Sequence, residues 1–161
     1  MKRLIVAATV IFLLTGPAGA FDPAAVQRLK TTNQCPGCSL EDADLSHLSL
    51  KGANLAGAHM SGSKLTETKL NNANLVSADL IYAEMYAAKM NGANLSGAKL
   101  FSAKLSGANL SNANLSGADL GSAKLNGADL SGANLSGALL DRAIWIDGSR
   151  CKEGSVGYCK K

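Results

Sequence analysis

The sequence predicts an all-β solenoid, a chain that coils repeatedly around a thin core of leucine and alanine. Three observations predict it. Leu or Met occupies every fifth position from Leu40 to Leu140 without a gap, 18 Leu with Met60, Met85 and Met90. Two residues before each of these, from Cys38 to Ala143, 18 of 22 positions are Ala, the exceptions being Cys38, Leu48, Ser63 and Thr68. The outer positions are mostly Gly, Asn, Ser and Lys, as in Ala93-Asn94-Leu95-Ser96-Gly97. A period of five excludes both common elements. On an α-helix five residues advance about 140°, which scatters the leucines around the axis. On a flat strand an odd period sends successive leucines to opposite faces. Every Leu points inward only if each pentad is a short extended piece followed by a turn, and Gly, Asn and Ser suit such turns. Coils stacked in this way bury one continuous core.

Composition agrees. Ala, Leu, Gly, Ser and Asn supply 95 of 161 residues, and only seven are aromatic. An ordinary globular core of large, varied side chains is excluded. So is disorder, because the chain is 47% hydrophobic with a formal charge of only +4. The length suits one domain.

The first segment reads as an address. Lys2 and Arg3 precede an apolar run from Leu4 to Leu14, then Gly16-Pro17 and Ala18-Gly19-Ala20. This is the order of a secretory signal peptide, expected over residues 1–20. An uncleaved anchor is the competing reading, but the run falls short of the roughly 20 apolar residues of a membrane span. Cleavage after Ala20 would leave no stable membrane anchor. It also removes Lys2 and Arg3, leaving 14 basic against 12 acidic residues. That balance argues against a nucleic-acid surface, so no nucleic acid is expected as a partner.

The repeat resembles the pentapeptide-repeat family over residues 38–145. The resemblance implies a right-handed quadrilateral β-helix with four pentads per coil, hence about five coils and a rod of roughly 25 Å. Residues 20 apart should then stack about 4.8 Å apart. Asn54, Asn74, Asn94, Asn114 and Asn134 fall in one column, a candidate hydrogen-bonded ladder. A second column runs His59, Asp79, Lys99, Asp119 and a third Lys64, Glu84, Lys104, with opposite charges alternating over most of both. Lys69 on Lys89, and Lys104 on Lys124, break that pattern.

Both ends carry capping signals. Over residues 21–37, Asp22 and Pro23 open a short helix to about Lys30, with Phe21 placed to staple onto Val26 and with Val26 and Leu29 resting on the first coil. Trp145, between Ile144 and Ile146, takes the next inward position after Leu140 and is expected to close the far end before a tail over 146–161. Cys35 and Cys38 lie at one end, Cys151 and Cys159 at the other. An even count in an exported chain suggests disulfides. Four cysteines allow three connectivities, and a rod's length exceeds the roughly 7 Å Cα limit for a bridge between the ends. Cys35–Cys38 and Cys151–Cys159 remain. The tail also resembles the W-x-D-G…C…G-S-x-G-x-C ending of some exported members of the family.

No catalytic, cofactor-binding or metal-binding residue stands out, and no cofactor is expected. Cys35-Pro36-Gly37-Cys38 has dithiol spacing, but Ser39-Leu40 leads into coil and not into the helix N-terminus that activates a redox thiol. The two His are not in register, and the glycines follow the pentad and not a phosphate loop. The outer surface changes character between residues 76 and 101, where Val76, Ile81, Tyr82, Tyr86 and Phe101 appear. Such a cluster is a candidate interaction patch for a protein partner or a homodimer. The sequence therefore predicts a non-enzymatic exported scaffold, periplasmic in the first instance, with secretion or a thylakoid lumen as other destinations. Two other functions compete. One is the DNA mimicry and topoisomerase modulation known for part of the family, which the leader and the near-neutral charge oppose. The other is thiol redox work at Cys35 and Cys38.

Overall fold

The computed structural model describes residues 21–161, so the leader expected at 1–20 lies outside the described residues. Each pentad begins at an inward Leu and turns at once. Leu50, Lys51, Gly52 and Ala53 form one such turn, closed by the Ala53 N–H donating to the Leu50 carbonyl at 3.1 Å. The third residue has positive φ, 65° at Gly52, as a type II turn requires. A residue in extended conformation follows, and then the next Leu.

The outer Asn and Asp residues stabilise the turns that follow them. Asn94 Oδ1 accepts from the Ser96 N–H at 3.2 Å, and Asp119 Oδ1 from the Gly121 N–H at 2.9 Å. A short side chain that bonds backbone two residues ahead is the Asx-turn device.

Successive coils are bonded through the backbone every 20 residues. The Leu55 N–H donates to the Asn74 carbonyl at 2.8 Å, the Gly57 N–H to that of Val76 at 2.8 Å, and the Asn74 N–H to that of Ala53 at 2.8 Å. The pairing is parallel and forms four columns. They run Gln34 to Asn134, Ser39 to Leu139, Asp44 to Ile144, and Ser49 to Asp129. The sequence predicts an all-β chain, but among the described residues no stretch is long enough to be a strand. Each pentad gives one bridged residue per face, because the chain must turn again three residues later. Among the described residues the one regular element is a helix, α1, Pro23–Thr32.

The core is the predicted Leu and Ala set. Leu40 through Leu125 on the five-residue register are buried, as are nearly all the alanines two before them. Two polar exceptions lie in the alanine position. Thr68 Oγ1 donates to the Leu45 carbonyl at 2.8 Å. Ser63 Oγ is the one buried side-chain oxygen among the described residues that has no partner. Ser63→Ala is therefore expected to raise stability by about 1 kcal/mol, and Thr68→Ala to lower it by about 1 kcal/mol. Chemical unfolding of the two variants checks this, and shifts of the same sign would contradict it.

Helix α1 covers the first coil. Asp22 Oδ1 accepts from the Ala24 N–H at 2.9 Å, Pro23 opens the helix, and Asn33 ends it at φ 59°. The Asp22 N–H also donates to the Ser39 carbonyl, and Asn33 Nδ2 to that of Lys51 at 2.7 Å, so both helix ends are tied to the coil. Leu29 is buried and Val26 packs half-buried against the core, as expected; Ala25 is buried as well, and Phe21 is exposed. Ala25 and Leu29 are four apart and share one helix face, which a small residue brings closer to the coil.

The far end departs from expectation. Trp145 packs against the core but stays half-buried, so it closes the far end only in part. After Gly148 the tail doubles back and pairs antiparallel with the last coil, through Leu139 with Val156 and Ile144 with Arg150. It therefore covers two columns of four. On the other two, Leu130, Ala133 and Leu135 stay half-exposed, and the N–H groups of Leu130, Gly132 and Leu135 have no partner among the described residues. That leaves an open backbone edge.

Candidate interaction surfaces

The apolar cluster read from the sequence is spread over three successive corners of the rod. Ile81, Tyr82 and Phe101 share one corner, stacked on adjacent coils. Val76 lies on the corner before it, and Tyr86 on the corner after, across the Glu84 column. Val76 and Ile81 are half-buried. The exposed members are Tyr82 at 58%, Phe101 at 39% and Tyr86 at 37%. Tyr82 meets Phe101 edge to face, with ring centroids 6.4 Å apart and planes at 83°. The Phe101 ring leans onward across Gly121, where an added Cβ would stand 3.0 Å from its Cδ2. Tyr82 occupies the positive-φ position of its turn, at 59°, a position that about half of the pentads fill with Gly and that no other pentad fills with an aromatic residue. A bulky side chain in that conformation is strained by about 1 kcal/mol or more.

The charged columns are laced along the rod. Lys104 donates to Glu84 Oε1 at 2.7 Å and Lys99 lies 3.7 Å from Asp79. The Lys104 ammonium holds the Glu84 carboxyl below its ordinary range and is itself pushed up by that bond. His47 meets Glu67 at 3.4 Å. In the asparagine column, Asn74 donates to Asn54, Asn114 to Asn94 and Asn134 to Asn114, each at 3.3 Å. Asn74 and Asn94 are paired through the backbone, with no side-chain bond between them.

The fourth column differs from these. Lys69 is bridged directly to Lys89, and with Lys51 they line a shallow depression of about 700 Å³ together with Asn71, Asn72 and Asn91. The ion pairs among the described residues engage His47, Lys99, Lys104, Arg142 and Lys161, so these three lysines are unpaired.

The cysteines form two disulfides, Cys35–Cys38 at 2.09 Å and Cys151–Cys159 at 2.05 Å. Cys35 and Cys38 are both buried against α1, and the Arg28 guanidinium donates to the Cys38 sulfur. Among the described residues no group of three or more His, Cys, Asp or Glu side chains converges as a metal site would require. No helix among them is long and apolar enough to cross a membrane.

A chain that turns every five residues, pairs with itself every 20 and buries one aliphatic core is a repeat solenoid. The pentapeptide repeats pattern matches residues 38–75, 58–97 and 103–142, with eight copies. The chain belongs to the pentapeptide repeat family. The solved pentapeptide repeat protein Rfr23 from the cyanobacterium Cyanothece 51142 is similar at 27% identity, with a TM-score of 0.58 over 76% of this chain and 97% of that one. QnrB1, a plasmid-mediated fluoroquinolone resistance protein, shares the fold at 23% identity, with a TM-score of 0.50 over 65% of this chain and 58% of that one. A pentapeptide repeat protein of the Arabidopsis thaliana thylakoid lumen aligns at 25% identity, with a TM-score of 0.46 over 80% of this chain and 86% of that one. No curated protein matches.

Proposed function

We propose that this protein is a non-enzymatic scaffold, exported to the periplasm, that docks a protein partner or a second copy of itself on one corner of its rod. The rod is the right-handed coil of about five turns that the family resemblance implies. The leader and the two disulfides support export, since disulfides persist in oxidising compartments. Burial of both sulfurs at Cys35 and Cys38 supports a structural bridge over a redox dithiol, which must be reached by its substrate. The alternating and partly basic columns give no support to mimicry of a nucleic-acid duplex.

One observation carries the docking reading. Tyr82 is 58% exposed and packs edge to face with the exposed Phe101, so the rod presents an aromatic pair to solvent where most of its other corners carry small or polar residues. An exposed apolar cluster is a pointer to an interaction site, and tyrosine is enriched at interfaces. A photo-crosslinking residue at Tyr82, expressed in the exporting host, should give a discrete adduct that the added change Phe101→Asp abolishes. An adduct with the same chain would assign self-association. No adduct above background, or one indifferent to Phe101→Asp, would remove this corner as the docking site.

A further inference from the structure

We propose that the depression lined by Lys51, Lys69 and Lys89 binds a linear acidic glycan lying along the rod. The site is distinct from the aromatic corner. It lies on the Ser49–Asp129 column and on the corner that follows it.

The first argument is electrostatic. Like charges placed directly opposite in a sheet are destabilising. The other columns avoid this cost by placing Lys99 on Asp79 and Lys104 on Glu84. Lys104 also stacks on Lys124, but Glu84 neutralises it. Lys69 and Lys89 have no such relief. The nearest acidic residue in sequence, Glu67, is turned to His47 instead, and the next residues up the column are Asn109 and then Asp129. Lys51 adds a third cation to the same depression. A bound anion would supply the countercharge that the protein withholds.

The second argument is the identity of the other groups. Asn71, Asn72 and Asn91 complete the lining, and Asn71 already donates to Asn91. An amide both donates and accepts, which suits the vicinal hydroxyls of a sugar. Lysine is a mobile point charge with three donors, suited to a carboxylate at the rim. The 700 Å³ volume lies in the range of small-ligand sites.

The third argument is spacing. Lys69 and Lys89 repeat at the separation of paired strands, about 4.8 Å. One pyranose in an extended chain advances by a similar length, so a chain of a few sugars lying along the rod spans both lysines. Nucleic acid fits less well, because no aromatic side chain lines the depression to receive a base. An anionic membrane surface fits less well too, because the lining holds no apolar anchor.

The test uses the full mature chain and a short oligogalacturonate, titrated at low salt by calorimetry and by thermal shift. Binding should raise Tm, weaken as salt rises, and fail with a neutral maltooligosaccharide of the same length. The double change Lys69→Gln with Lys89→Gln should weaken affinity about tenfold or more. Lys99→Gln, on another column, should leave affinity unchanged. Without ligand, Lys69→Gln should unfold at the same temperature as the parent or higher, since it removes a like-charge pair, which also checks that the variants fold. No response to oligogalacturonate would overturn the proposal, as would an equal response from the double variant. Tripolyphosphate binding at these lysines without oligogalacturonate binding would overturn it in favour of a phosphate ligand. The crosslinking result at Tyr82 bears on neither outcome.

Discussion

Leu95→Ala is expected to destabilise the protein by about 3–5 kcal/mol, the largest effect of any single core truncation here. Leu95 is fully buried at mid-rod, and its register neighbours Leu75 and Leu115, one coil to either side, are fully buried too. Three features keep the cavity from collapsing. The flanking alanines are already small, the backbone on each side is held by coil-to-coil bonds, and Leu95 itself donates to the Asn114 carbonyl at 2.7 Å. A solenoid has no other layer to repack from, since each coil touches only its neighbours. Leu135→Ala, at the half-open end, should cost only about 1 kcal/mol, because less apolar area returns to water. Urea unfolding of both variants measures the ratio. Equal losses would mean that the far end is covered in solution.

Replacing Cys151 and Cys159 together by Ser is expected to cost about 2–3 kcal/mol, the chain-entropy value for a nine-residue loop. The bridge holds a tail that otherwise depends on a handful of bonds. The Leu140 N–H donates to the Ser155 carbonyl at 2.8 Å, and the Cys151 N–H to that of Ala143 at 2.9 Å. Ser155 is buried beneath this loop, with its Oγ donating to the Lys152 carbonyl and accepting from the Lys160 N–H. Release of the tail would expose Leu140 and Ala143, which close two of the four columns. Hydrogen exchange should therefore rise first over residues 139–159, while the coils between residues 55 and 115 stay protected. Uniform loss of protection along the rod would show that the tail nucleates the whole fold and does more than cap it.

Much of this architecture can be read one residue at a time, because the repeat is local. A Leu every five residues, with Ala two before it, has one way to bury both, and those positions are the core. The charge alternation of Asp79 with Lys99 and of Glu84 with Lys104 could be read once a 20-residue coil was assumed. The Asx bonds of Asn94 and Asp119 were missed, although the recurrence of Asn and Asp at one outer position carried the signal. At the aromatic corner, sequence register placed Phe101 on Ile81 but did not show that Tyr82 is the exposed ring that meets it.

What the sequence determined by itself is therefore the periodic part, meaning the turns, the inward register and the aliphatic core. Each of these follows from five residues and the need to bury Leu. The tertiary structure alone decided the non-periodic part. It buried Ala25 more deeply than Val26 beneath the helix, turned Glu67 to His47 and away from Lys69, and sent the tail back over two columns while two stayed open. Those choices depend on which of several reachable partners a long side chain or an unrepeated segment meets, and sequence spacing does not rank such partners. For the same reason the fold was legible before the surfaces were, since a core is specified by periodicity and a binding face by what the neighbouring coils leave unpaired.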